Sequence, residues 1–323
     1  MRYPSVYRGH VVPKGYLRSF AIDDKIAVRK GGPNASIEVK SVEKAGWRRR
    51  PYERTRPKTG EKISDVEWSL SHIEDKAPAI LRRIDELWPL NAEQKSILAE
   101  LVGYQLVRGP RWSAWHNRYV EKQIAEYQRL LNLPDEEIEA TREHLRSDSY
   151  RLIRMLDLGM RLASIAGCMH WSLIKCDSPL LATSDHPVDV WPRHAASRMP
   201  EASAAEGMLN ALEVRFPLTP TAALQMTWLD DHDAATPCLH GSRQHAASLN
   251  AFAVANADRE WFHLPGTKPP IAFGGRLLPL SPELIRGYSS HQVEPSHRRS
   301  EVAKWLESTK GQTLKVRDKL VIT

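Results

Sequence analysis

Cysteine and phenylalanine are scarce in this chain, with three and five respectively among 323 residues. The cysteines, Cys168, Cys176 and Cys238, are odd in number and form no CxxC pair. That argues against a disulfide framework or a thiolate metal site and fits free thiols in a reducing compartment. No apolar run approaches the roughly 20 residues that cross a bilayer. The opening MRYPSVYRGHVVPKGY also lacks the apolar stretch of a secretory leader, so a cytoplasmic location away from membranes is expected. A Walker loop and a GxGxxG fingerprint are missing too, since GGPN and FGG lack the following lysine or helix start. No internal repeat or low-complexity tract is evident.

What is present is an ordinary globular composition, 41% hydrophobic and 26% charged, on a chain long enough to bury a large core. One large domain over residues 1–323 is expected. The formal charge of +7 favours contact with polyanions. Between positions 48 and 58, RRRPYERTRPK carries Arg48, Arg49, Arg50, Arg54, Arg56 and Lys58 against the single acid Glu53. Its two prolines and its self-repulsion predict an exposed basic loop. Trp47 and Tyr52 beside it are of the type that stacks on bases.

Three sections follow from the periodicity. Residues 1–60 read as a short helix, with Val12, Tyr16, Leu17 and Phe20 on one side after Pro13, and then a hairpin across GGPN. Residues 69–176 read as helical, beginning with a stripe of Ile73, Ala77, Ile80, Leu81, Ile84 and Leu87 that ends at Pro89. A second helix starts at the N-cap Asn91 and stops at Gly109-Pro110. Residues 177–323 alternate with period two in LLATSDHPVDVW, ALEVRFPLTP, AALQMTWL and NAFAVANADREWF, which predicts strands. The end of the chain, EVAKWLES and LKVRDKLVIT, reads as a helix and a strand. The expected fold is α+β: a central helical section packed on a mostly antiparallel sheet formed by the C-terminal part and the N-terminal hairpin.

The segments HVVPKGYLRSFA, IEDKAPAIL, QLVRGP, LATSDHP, RFPLTP and LNAFAVANA occur in an order that resembles the bacterial family DUF4238. The resemblance spans about His10 to Asn256. It implies no activity, but it picks out His10, Pro13, Tyr16, Leu17 and Phe20, then Glu74, Gln105 and Arg108, and finally Ser184, Asp185, Pro187 and Asn250. Many relatives carry two adjacent histidines in the first block, where this chain has Gly9 before His10.

Each of these positions has a chemical reading and a plainer one. His10 is a candidate general base or metal ligand, or a hydrogen-bonded structural residue. Gln105 and Arg108 share a helix face and suit a phosphate or carboxylate, while Glu74 is either part of the site or a structural partner of Arg108. Asp185, following a predicted strand, is a candidate catalytic carboxylate or the head of an Asx turn before Pro187. Ser184 lacks a nucleophile elbow. Asn250 suits orienting another group or satisfying backbone. His232, His240 and His245 near Asp230, Asp231 and Asp233 match no metal spacing. Most of the ten tryptophans, including Trp88, Trp171 and Trp228, lie on apolar stripes and read as core.

The leading expectation is a hydrolase acting on a phosphodiester or nucleotide bond, with a nuclease as the narrower candidate. His10, Glu74 and Asp185 would supply acid, base or ligand groups, Gln105, Arg108 and Asn250 would bind substrate, and Mg²⁺ or Mn²⁺ is a possible cofactor. The alternative is a non-catalytic nucleic-acid-binding protein that uses the basic segment. A third reading makes the polar residues a buried structural network.

Overall fold

The computed structural model describes residues 7–56, 59–131, 134–192, 204–209, 211–228 and 237–272. Strand β1 (Arg8–His10) leads into a short helix α1 (Lys14–Leu17) and a 3-10 turn, with Val12, Tyr16, Leu17 and Phe20 all in the core. The hairpin β2 (Lys25–Lys30) and β3 (Ile37–Ser41) follows, turning through Gly31 at φ +91. Next come β4 (Trp47–Arg49) and the two-residue strands β5 (Arg54–Thr55) and β6 (Lys62–Ile63). Strand β4 returns to β1 as a separate antiparallel ribbon.

The helical section starts earlier than its apolar stripe suggests, and the stripe is broken into three helices: α2 (Asp65–Glu74), α3 (Ala77–Arg82) and α4 (Ile84–Leu87). Pro78 is the cause. It has no N–H to return to the Glu74 carbonyl, so the helix stops there and restarts with proline in its first turn. Helix α5 (Ala92–Val107) opens on a reciprocal capping box between Asn91 and Gln94. It is followed by α6 (Pro110–Leu131), α7 (Asp135–Arg146) and α8 (Asp148–Cys168). Helices α5 and α8 touch backbone to backbone, because a Cβ on Gly103 would lie 2.3 Å from the Gly159 carbonyl oxygen. At the other end of α5, Arg108 is already extended, Gly109 takes φ +90, and Pro110 starts α6. Arg108 therefore projects from a corner between two helices.

The remaining elements are β7 (His170–Lys175), β8 (Ala182–Ser184), β9 (Asp189–Pro192), α9 (Ala204–Leu209), β10 (Ala211–Pro217), β11 (Ala222–Thr227), β12 (Cys238–His240), α10 (Arg243–Asn256) and β13 (Glu260–His263). They build two sheets rather than one. The larger runs β12-β7-β11-β10-β9, antiparallel except at β12–β7, and the smaller runs β3-β2-β13-β8, in which the N-terminal hairpin pairs with C-terminal strands. The chain passes from one sheet to the other through Asp185, His186, Pro187 and Val188. Pro187 has no donor with which to continue the ladder of β8.

Part of NAFAVANADREWF is helix, contrary to its period-two pattern. Ser242 and His245 form a capping box, and the alanine-rich stretch continues α10 to Asn256 before β13 begins. The largest buried cluster draws on all three sections, from Val11 to Phe262, and includes Trp112, Trp171 and Trp228. Among the described residues, no helix is long and apolar enough to cross a membrane. The expected terminal helix and strand, Lys58, and the Asp230 to Asp233 group with His232 lie outside the described residues.

Candidate acid–base site

The ribbon of β1 and β4 holds His10. Its register sets Arg8 opposite Arg49, Gly9 opposite Arg48 and His10 opposite Trp47. Gly9 is tightly enclosed: a Cβ there would come within 2.6 Å of Pro51 Cγ and 3.1 Å of a Glu67 carboxylate oxygen. In this chain, therefore, the position before His10 has no room for a second imidazole.

Arg108 reaches the back of the ribbon from the α5 corner. Only 3% of it is exposed, and its guanidinium is fully engaged. Nε donates to the Tyr52 hydroxyl at 2.8 Å, one terminal nitrogen donates to the His10 carbonyl at 2.7 Å, and the other pairs with Glu74 at the end of α2. The Tyr52 ring also lies under the guanidinium carbon at 5.1 Å. Tyr52 is thus a buried prop, and burial pushes its hydroxyl up to about 12. Arg108 and Glu74 fix the strand carrying His10, and neither is left free to hold an anion.

Burial, with Lys14 and Arg108 nearby, lowers the His10 imidazole to about 4, so it is neutral at physiological pH. The nearby Val42 carbonyl favours the protonated ring and opposes the shift, while Nε2 is buried with no partner among the described residues.

Beside His10 lies Glu67 of α2, whose carboxyl faces the His10 backbone amide. One Glu67 oxygen, Oε2, is buried with no partner among the described residues. Burial raises this carboxyl to about 7, with Glu74 adding to the rise and Arg108 opposing it. A carboxyl that exchanges its proton near neutrality thus packs on the Gly9 face of the strand, while the neutral His10 ring projects from the opposite face. A carboxyl titrating near neutrality is what acid–base chemistry needs.

Sequence reasoning passed over Glu67. The signal was the Ser64-Asp65-Val66-Glu67 spacing, which reads as an ordinary capping box at a helix start. In the structure Ser64 makes no side-chain cap bond, and Glu67 turns to the ribbon.

The two groups drive stability in opposite directions. Glu67 titrates higher in the fold, about 7 against 4.5, so its contribution is complete below pH 4.5 and fades as pH rises through 7. His10 titrates lower, about 4 against 6.5, so its contribution is complete above pH 6.5 and fades as pH falls through 4. Replacing Glu67 by glutamine removes the first slope alone. The stability of Glu67→Gln relative to the parent should therefore climb with pH between about 4.5 and 7, read from urea midpoints. A pH-independent difference would contradict the raised titration.

The other expected site residues are placed elsewhere or in other roles. Gln105 lies one turn before Arg108, 1% exposed, and its side-chain amide has no partner among the described residues. Asp185 heads the crossing between sheets, where it accepts the backbone amides of Asp258, Arg259 and Glu260 at 2.7, 2.9 and 3.2 Å and Arg48 at 2.7 Å. Burial pushes its carboxyl up, and those donors oppose the shift. Among the described residues, no hydrogen bond or ion pair joins Asp185 to His10, Glu74 or Arg108.

Asp185→Ala should therefore cost about 3–5 kcal/mol of stability in denaturant unfolding, because three amides and Arg48 lose their acceptor. A variant that unfolds like its parent would show that this turn does not depend on the carboxylate. Ser184 is engaged with its neighbour His186, accepting from its amide and donating to its carbonyl. Asn250 ties α10 to β8, accepting from the Ala182 amide and donating to the Leu180 and Pro270 carbonyls.

The basic segment is not one exposed loop. Arg48 pairs with Asp185 and Asp258, Arg54 with Asp65, Arg56 with Glu61, and Arg50 with Glu53 at 3.5 Å. Carboxylates both near and distant in sequence neutralise what looked like an uncompensated run, leaving Arg49 without an acidic partner among the described residues. No group of three or more His, Cys, Asp or Glu side chains suited to a metal ion occurs among the described residues. His10, Glu74 and Asp185 do not form such a set.

No curated protein and no solved structure matches the chain. The model of one family, described as a protein of unknown function, matches residues 8–267, a span that includes β1, the α5 corner, the sheet crossing and β13. The chain belongs to the DUF4238 family.

Proposed function

We propose that the chain is a hydrolase of phosphate esters, with Glu67, packed against the strand that carries His10, as its proton-exchanging group. The observation that supports this reading most is a buried Glu67 oxygen, unpartnered among the described residues, packed against the backbone of a strand that carries His10 and is braced by Arg108. In the reaction, a water molecule attacks phosphorus. Its proton passes to the Glu67 carboxylate. The P–O bond to the leaving group breaks, and the leaving oxygen takes a proton from solvent. The overall positive charge favours an anionic substrate.

The test is cleavage of a single-stranded oligonucleotide and of bis(p-nitrophenyl) phosphate across pH 5 to 9 at roughly one-unit steps, with and without Mg²⁺ or Mn²⁺. Turnover above the blank that disappears in Glu67→Gln is expected. A folded protein that cleaves neither substrate under any of these conditions overturns the reading.

A further inference from the structure

We propose that the outer edge of the β1–β4 ribbon is a ledge that binds the phosphate backbone of a single-stranded nucleic acid. The ribbon sets Arg8 directly opposite Arg49, both exposed. Like charges facing each other across a strand pair weaken the pair. Here neither has a carboxylate partner among the described residues, whereas Arg48, Arg50, Arg54 and Arg56 all do. Two opposed cations left unneutralised on three-residue strands suit an anion shared between them.

Aromatic rings flank the pair. The Arg8 guanidinium lies over the Trp47 ring at 4.8 Å, and Arg49 and Arg50 lie 5.4 and 5.6 Å from the Tyr7 ring. Tyr7 is half exposed, with 50% of its surface in solvent. Cations alternating with accessible rings are how single strands are held, the backbone on the charges and unpaired bases on the rings. Side chains two apart on a strand share a face, so Arg8 and His10 point the same way about 6.6 Å apart along β1. A phosphate seated at Arg8 and Arg49 therefore lies on the His10 face of the ribbon. The ledge names the substrate class of the proposed hydrolase and so rests on that reading.

The experiment uses the full chain carrying Glu67→Gln, so that bound strand is not consumed. Binding of a fluorescent single-stranded oligonucleotide is followed by anisotropy over a salt series. Against this background, Arg8→Ala with Arg49→Ala should weaken binding at least tenfold and reduce the slope of log K against log salt by about 1.4. Tyr7→Ala should weaken binding about tenfold with little change in slope. Arg83→Ala, which removes an exposed cation paired with Glu86 on another element, should change neither.

Removing two facing cations should not unfold the protein, and thermal unfolding of each variant checks this. Binding unchanged by the double substitution overturns the ledge, as does equal or tighter binding of a mononucleotide or of phosphatidylserine vesicles. Ledge-dependent binding by a wild-type protein that never cleaves sinks the hydrolase and keeps the ledge. Cleavage whose KM ignores the double substitution sinks the ledge and keeps the hydrolase.

Discussion

Glu67→Gln should lower the rate of phosphate-ester cleavage by about 10²- to 10⁴-fold at neutral pH, the range expected when one positioned general acid or base is removed. The fold should survive. Glutamine keeps the shape of the side chain and an oxygen to face the His10 amide, and it is never ionised in a site where burial already raises the carboxyl to about 7. The variant should thus match or exceed the parent's stability above pH 7 while losing its chemistry. In the parent, turnover should follow the ionised fraction of Glu67, rising with pH to a plateau above the neutral range. An active Glu67→Gln protein, or a flat pH profile in the parent, would remove Glu67 from the reaction.

Arg108→Met carries the opposite signature. Its guanidinium satisfies the Tyr52 hydroxyl, the His10 carbonyl and Glu74 at once, from a position 3% exposed. Removing it leaves a carboxylate and a carbonyl without their donors, a loss of about 3–5 kcal/mol in chemical denaturation. Glu74→Gln should cost less, because the amide oxygen still accepts from the arginine and the Glu74 side chain keeps contact with solvent at 21% exposure. If Arg108→Met instead unfolds like its parent but fails to bind phosphate, Arg108 is a ligand rather than a brace.

The helical section was legible because its stops and starts are local chemistry. Asn91 with Gln94, and Gly109-Pro110 after Val107, set boundaries without help from the rest of the fold. The division at Pro78 was equally local but hidden under a continuous apolar stripe. Helix α10 was misread because alanines on a buried helix, alternating with Phe252 and Val254, imitate a strand period.

Long-range pairings were harder. Nothing near Arg48 in sequence announces Asp185, and nothing near Arg54 other than its own charge announces Asp65, so a neutralised segment looked like a bare cationic loop. Asp185 and Asn250 stood out as polar residues in apolar surroundings. The structure shows the backbone groups they satisfy, which only the paired chain reveals. Glu67 was missed because nothing near it in sequence announces the ribbon it packs against.

The most direct measurement is the titration of the Glu67 side chain itself. In protein labelled with ¹³C at glutamate carboxyls, the resonance absent from Glu67→Gln should move with a midpoint near pH 7. A midpoint at or below the ordinary value of 4.5 would contradict the acid–base site on which the proposed function stands.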